Sequence, residues 1–192
     1  MSSSSTIAGG TREQIVDVAR NLIRTRSYLG FSFQDVADQV GIRKASLYHH
    51  FATKEALGIE VLNESIQGFR RWSTSKERKP DEVIDAYCRM LRNSLHAGDG
   101  VCPTGALAPG WGLIGDELRR AVRDLRNEHV NWLTKVFIGD KSFGGAKHSA
   151  AMARSAGFVF VVCQGALLSA RITGRIEDFD DAVAHLKAFV PA

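Results

Sequence analysis

Cysteine is scarce in this chain, and the three present, Cys88, Cys102 and Cys163, form no C-x-x-C pair. An odd count at wide spacing excludes a disulfide framework and a structural zinc site, and it points to a reducing cytoplasm. Catalytic fingerprints are missing as well. There is no G-x-S-x-G elbow, P-loop or H-E-x-x-H, nor the strand-led glycine turn of a dinucleotide site. Long apolar runs are also absent. The most apolar stretch, Ser155 to Ala170, is bracketed by Arg154 and Arg171, short of the roughly 20 residues that span a bilayer. A buried helix is expected there, with no membrane partner. The opening MSSSSTIAGG lacks the charged and apolar regions of a secretory signal, so residues 1–10 are expected to form a disordered tail.

What is present is an ordinary soluble composition, 44% hydrophobic and 24% charged over 192 residues, with a net charge of +4. The mild basic balance permits nucleic-acid binding without requiring it. Helical spacing runs through the chain, with no strand run and no internal repeat, so an all-α fold is predicted. Thr11 with Gln14 reads as a capping box for a first helix whose apolar face is Ile15, Val18, Ala19, Leu22 and Ile23. Ser32 starts a second helix and Gly41 stops it. A third, short helix spans Lys44 to His50, and Thr53 caps a fourth that runs toward Ser75. The polar run STSKERKP, ending in Pro80, is a candidate boundary.

Beyond it, Val83, Ile84, Tyr87, Cys88, Leu91 and Leu95 form a stripe closed by Gly98-Asp99-Gly100. Residues 102–115 predict a short, broken helix. Leu118, Val122, Leu125, His129, Trp132, Leu133 and Val136 predict a long one, and residues 143–145 a turn. Residues 146–172 form a helix that is apolar nearly all round, and Asp178 caps a last helix bearing Phe179, Val183, Leu186 and Val190. A helix apolar on every side needs cover on every side, which a twofold partner can supply.

Residues 32–51, SFQDVADQVGIRKASLYHHF, read as two short helices joined by a tight turn, the pattern of a helix-turn-helix DNA reader. Leu47 and Phe51 face inward. Arg43, Lys44, Ser46, Tyr48, His49 and His50 remain outside, where cations meet phosphate or guanine and hydroxyls meet phosphate or base edges. Ala45 is placed to touch a thymine methyl. Ser32 and Gln34 stand at a helix start, where backbone N–H groups meet phosphate, and Lys54 stands at the next. His49-His50 has no acidic or cysteine partner one turn away, so no metal site is expected.

On these residues the chain resembles the tetracycline-repressor (TetR) family. The likeness lies in Phe33-x-x-Val36-Ala37, Val40-Gly41-Ile42, Lys44 through Phe51, and Lys54-Glu55-x-Leu57. It implies a DNA-binding domain over residues 11–55, with Phe33 in its motif, and a helical ligand-binding and dimerisation domain over 56–192. It further implies a homodimer, and repression released by a small-molecule effector. The last two helices are the expected dimer seam, two paired readers suit a palindromic double-stranded operator, and thiol modification is an alternative release. Tyr48 and Lys54 match positions that contact the phosphate backbone. Arg43 departs from the family's usual Ser or Thr cap.

The second domain is less legible. Tyr87, Met90, Cys102, Trp111, His129, Trp132 and Phe158 are candidates to line an effector pocket. Each also has a plain structural reading as core. Cys102, near a helix start, is either a reactive thiol or an inert buried one. VCPTGALA at 101–108 resembles a subgroup with a cysteine-led helix beside the pocket, although Pro109-Gly110-Trp111 follows where that subgroup has an acid. No cofactor and no enzyme activity are expected. The competing readings are a basic helical module for an acidic protein and a small enzyme using Cys102 with His129.

Overall fold

The computed structural model describes residues 10–75, 80–96, 101–139 and 145–188. The expected tail apart from Gly10, half of the polar boundary run (76–79), the Gly98–Gly100 stop, Phe143-Gly144 and Val190 fall outside them. Among the described residues every regular element is helical. These are α1 (Thr11–Arg26), α2 (Phe33–Val40), α3 (Lys44–His50), α4 (Lys54–Thr74), α5 (Pro80–His96), α6 (Pro103–Leu107), α7 (Asp116–Ile138), α8 (Gly145–Thr173) and α9 (Glu177–Lys187). Single 3-10 turns at Tyr28–Gly30 and Ala108–Gly110 link α1 to α2 and extend α6.

Local chemistry fixes the reader's boundaries. The Ser32 hydroxyl accepts from the Asp35 N–H while the Asp35 carboxylate accepts from the Ser32 N–H at 2.6 Å, a reciprocal capping box at the start of α2. Gly41 takes φ +79° after α2 and donates its N–H to the Ala37 carbonyl, which only a residue at ease in the left-handed region does cheaply. Thr53 caps α4 by accepting from the Ala56 N–H at 3.0 Å. Ser32→Ala is expected to cost about 1 kcal/mol as a lower denaturation midpoint in urea, with an unchanged slope.

Two expected caps differ. Gly10, not Thr11, precedes α1, and no side chain caps it, so the Thr11–Gln14 box does not form. Ile176 precedes α9, which places Asp178 inside its first turn. There the Asp178 carboxylate accepts from the Thr173 hydroxyl at 2.8 Å and joins the end of α8 to the start of α9. A carboxylate two residues past the cap position still meets the helix N-terminus, so the electrostatic preference is kept while the cap is not.

Two apolar cores stack end to end. The first gathers Ile15, Ala19, Val36, Leu47, Leu57 and Val61 of the reader with Leu107, Leu118 and Leu125 of α6 and α7, so it crosses the 55/56 division expected from the sequence. The second lies among α5, α8, α9 and the far half of α7, around Tyr87, Leu133, Cys163, Leu167 and Phe179. At 29 residues α8 is long and apolar enough to cross a membrane, longer than the stretch read from sequence. Val159, Cys163 and Leu167 are instead fully buried in the second core.

Polar contacts clamp the reader to this body. Ser27 sits at φ +65°, and its hydroxyl donates to the Ala106 carbonyl at 2.8 Å. Strain of this kind persists only where surrounding contacts hold it. Arg171 of α8 donates to the Arg24 carbonyl at 2.6 Å, at the end of α1. At the start of α4, the Glu55 carboxylate accepts from the Leu118 N–H at 3.4 Å. Gly115 makes room for it, since a Cβ there would lie 2.3 Å from Glu55 Oε1.

Candidate DNA interface and ligand cavity

The reader's outer face is built by burying the other one. Leu47 is fully buried and Phe51 nearly so, which turns Arg43, Lys44, Ala45, Tyr48, His49 and His50 to solvent, with Ser46 half-buried. Arg43 precedes α3 in extended conformation and makes no side-chain cap, so α3 starts at Lys44 despite the missing Ser or Thr. Phe33 is buried rather than outward, and its ring meets that of Tyr48 edge-on at 5.3 Å. It therefore positions Tyr48 instead of touching a ligand. Gln34 donates to Asp38 at 2.7 Å, one turn along the same exposed face.

Lys54 departs from the expectation. Its ammonium donates to the carbonyls of Tyr28 and Phe31 and lies 4.5 and 4.1 Å from the centres of their rings. Burial lowers its pKa below the usual lysine value, the Asp35 charge opposing. In this structure the side chain locks the 3-10 turn onto α4.

Behind the reader, a cavity of about 320 Å3 opens between α1, α4, α5 and α7. Met90, Cys102 and His129, all expected pocket residues, line it. Tyr87 and Trp132 stand behind its wall, each in ring contact with Phe69. Trp111 lies elsewhere, with Arg119 bonded to its carbonyl at 3.0 Å, and Phe158 lies on the outside of α8. The sequence reading missed Arg20, Arg24 and Trp72, and placed Phe69 only in the core. All four line the cavity.

His129 is the buried polar side chain of this wall. Its ring stacks on Phe69 at 3.8 Å, and Nδ1 is hydrogen-bonded to the Tyr87 hydroxyl at 3.0 Å. Burial pushes its pKa down to about 4, with the Glu128 carboxylate opposing, so the ring is neutral at pH 7. Cys102 Sγ is 3.2 Å from the Thr104 hydroxyl, while Cys88 and Cys163 face each other at 3.9 Å in the second core. The thiol of Cys102 and the imidazole of His129 thus bond to other partners, not to each other. Among the described residues no group of three His, Cys, Asp or Glu gathers to hold a metal.

One face of α8 is uncovered. Phe158, Val161, Leu168 and Ile172 are 48%, 61%, 39% and 83% exposed. With Gly165 they follow a three–four spacing along a single stripe, the seam geometry of paired helices.

Residues 15–61 match the family model described as bacterial regulatory proteins of the tetR family. Over 173 residues the chain is 26% identical to the HTH-type transcriptional repressor DhaR of Mycobacterium sp. (strain GP1), covering 88% of this chain and 86% of that protein. It is 22% identical over 186 residues to the HTH-type transcriptional repressor NemR of Escherichia coli (strain K12), covering 94% of each. The crystal structure of the reduced form of E. coli NemR superposes with a TM-score of 0.78 over 95% of this chain and 98% of that one. A TetR-family regulator from Agrobacterium tumefaciens superposes at 0.80, with 23% identity and the same coverage. At that identity the superpositions establish the fold.

Proposed function

This chain belongs to the tetR family of bacterial regulatory proteins, and from that premise we propose that it is a cytoplasmic transcriptional repressor which reads a palindromic duplex as a homodimer. The observation that carries this reading is α3, with Leu47 buried and Lys44, Tyr48 and His49 turned outward on a helix whose start and preceding turn are fixed by Gly41 and the Ser32 cap. The homodimer rests on the uncovered stripe of α8 and on α9 beside it. Two readers related by a twofold axis meet successive major grooves about 34–36 Å apart.

A small molecule in the cavity releases the operator. To do so it must bind the DNA-incompetent arrangement more tightly than the competent one. The cavity touches α1 and α4, both of which carry the reader, so a shift of either changes the spacing between two recognition helices. Glu55 on the α7 N-terminus and Ser27 on Ala106 transmit that shift.

Selection of preferred sites from a random duplex library, at two salt concentrations, tests the reading. An enriched palindrome with steep salt dependence is expected. Lys44→Ala is expected to weaken all duplexes roughly alike, by about tenfold or more, and to flatten the log–log salt slope by about 0.9 per lysine removed. Sequence-blind binding, or a slope that Lys44→Ala leaves unchanged, would count against α3 as the reader.

A further inference from the structure

Two thiols meet inside the second core. Cys88 of α5 and Cys163 of α8 face each other with their Sγ atoms 3.9 Å apart, and both are reduced. They stand on helices that pack directly against each other, 75 residues apart in sequence. The repressor reading makes no use of them. Their surroundings differ. Cys163 is fully buried. Cys88 also lines a separate cleft of about 250 Å3 between α5 and α9, edged by the cations of Arg89, Arg92 and Lys187 and the carboxylates of Asp85 and Asp180.

We propose that Cys88 and Cys163 form a redox pair: a peroxide entering this cleft oxidises Cys88, and Cys163 resolves the product to a disulfide between α5 and α8. In the first step the Cys88 thiolate attacks one peroxide oxygen and the O–O bond breaks. The sulfur becomes a sulfenic acid, and the other oxygen leaves as hydroxide, which a proton converts to water. In the second step the Cys163 sulfur attacks the Cys88 sulfur and the S–O bond breaks. The sulfenic hydroxyl leaves as water with the proton that Cys163 gives up. One peroxide and two thiols are consumed, and one disulfide and two waters are formed.

Placement divides the roles. The Cys163 S–H, donating to Cys88, holds the Cys88 thiol below its ordinary pKa, with burial opposing; Lys187 and Arg89 add to the lowering and Asp85 works against it. The same bond, with burial, pushes the Cys163 thiol up. The thiolate is the nucleophile, so the reactive sulfur is the one at the cleft. A disulfide needs an S–S separation of about 2.05 Å, so the sulfurs must close by about 2 Å, a side-chain rotation with a small helix shift. Cys102 stands apart, its Sγ against the Thr104 hydroxyl on the wall of the other cavity. In a reducing compartment such a pair rests as thiols and closes only under oxidant. Met90, Leu91 and Ser94 of the effector cavity also lie on α5, so the closed pair ties one wall of that cavity to α8.

The test is peptide mapping of the full, folded chain after treatment with a small excess of hydrogen peroxide and alkylation of the remaining thiols. A Cys88–Cys163 cross-linked peptide is expected, lighter by two hydrogens than the sum of its parts, with Cys102 recovered alkylated and the link lost on adding dithiothreitol. Cys163→Ala is expected to leave a sulfenic acid on Cys88 that dimedone traps, whereas Cys88→Ala is expected to give no dimedone adduct at Cys163. Should either variant not fold, mapping of the unaltered chain still decides whether the pair forms. No cross-link, a cross-link through Cys102, or one that appears only in urea overturns the proposal. A dimedone adduct on Cys163 in Cys88→Ala overturns the division of roles.

Discussion

Val161→Glu with Leu168→Glu is expected to turn the proposed dimer into monomers and to weaken operator binding by about 10²- to 10⁴-fold. Both side chains point out of the subunit, at 61% and 39% exposure, so carboxylates there should leave the monomer's fold intact. In a twofold interface each substitution is encountered twice, which places four charges in one apolar seam. Buried charges without partners are costly, and like charges facing each other add to that cost. The loss on DNA follows because a dimer binds its second half-site at the effective concentration set by the first, an advantage of about 10²–10⁴ that a monomer lacks. Sedimentation equilibrium and operator titration on one preparation measure both halves. A variant that stays dimeric would move the interface away from α8, and a monomer that keeps full operator affinity would remove the twofold reader.

The reader was legible in the sequence because everything that fixes it is local. The Ser32 cap, the left-handed Gly41 and the inward Leu47 and Phe51 sit within one 20-residue stretch, so periodicity and capping rules reach them. The cavity was legible only at Met90, Cys102 and His129, because its lining comes from segments as far apart as Arg20 and His129. Arginines one turn apart on an amphipathic helix look like a solvated face until another element covers them. Lys54 misled for the same reason. A cation at a helix start suggests phosphate, and only the fold shows the carbonyls and rings of Tyr28 and Phe31 closing around it. For α8, composition predicted a covered helix but could not divide its sides. The structure separates Val159, Cys163 and Leu167, buried within the subunit, from Val161, Leu168 and Ile172, which are left open. The Thr11 and Asp178 caps failed by one and two residues, the scale at which helix ends compete.

Acid should destabilise this protein through His129. Burial holds its folded pKa at about 4, against an ordinary value of 6.5. Between those two pH values the unfolded chain takes up a proton that the folded one refuses, so stability is full above about pH 6.5 and falls as the pH drops toward 4. The whole window is worth about 3 kcal/mol, of which about 2 kcal/mol should be gone by pH 5. Other histidines and the carboxylates contribute their own slopes, so the measurement is a difference. Urea unfolding of the unaltered chain and of His129→Gln is compared at pH 7 and pH 5. Glutamine keeps a polar group for the Tyr87 hydroxyl but has nothing to titrate, so its stability should fall less over this interval by about 2 kcal/mol. Parallel pH profiles would mean that His129 ionises freely in the folded chain, and that the stack on Phe69 and the bond to Tyr87 do not hold it neutral.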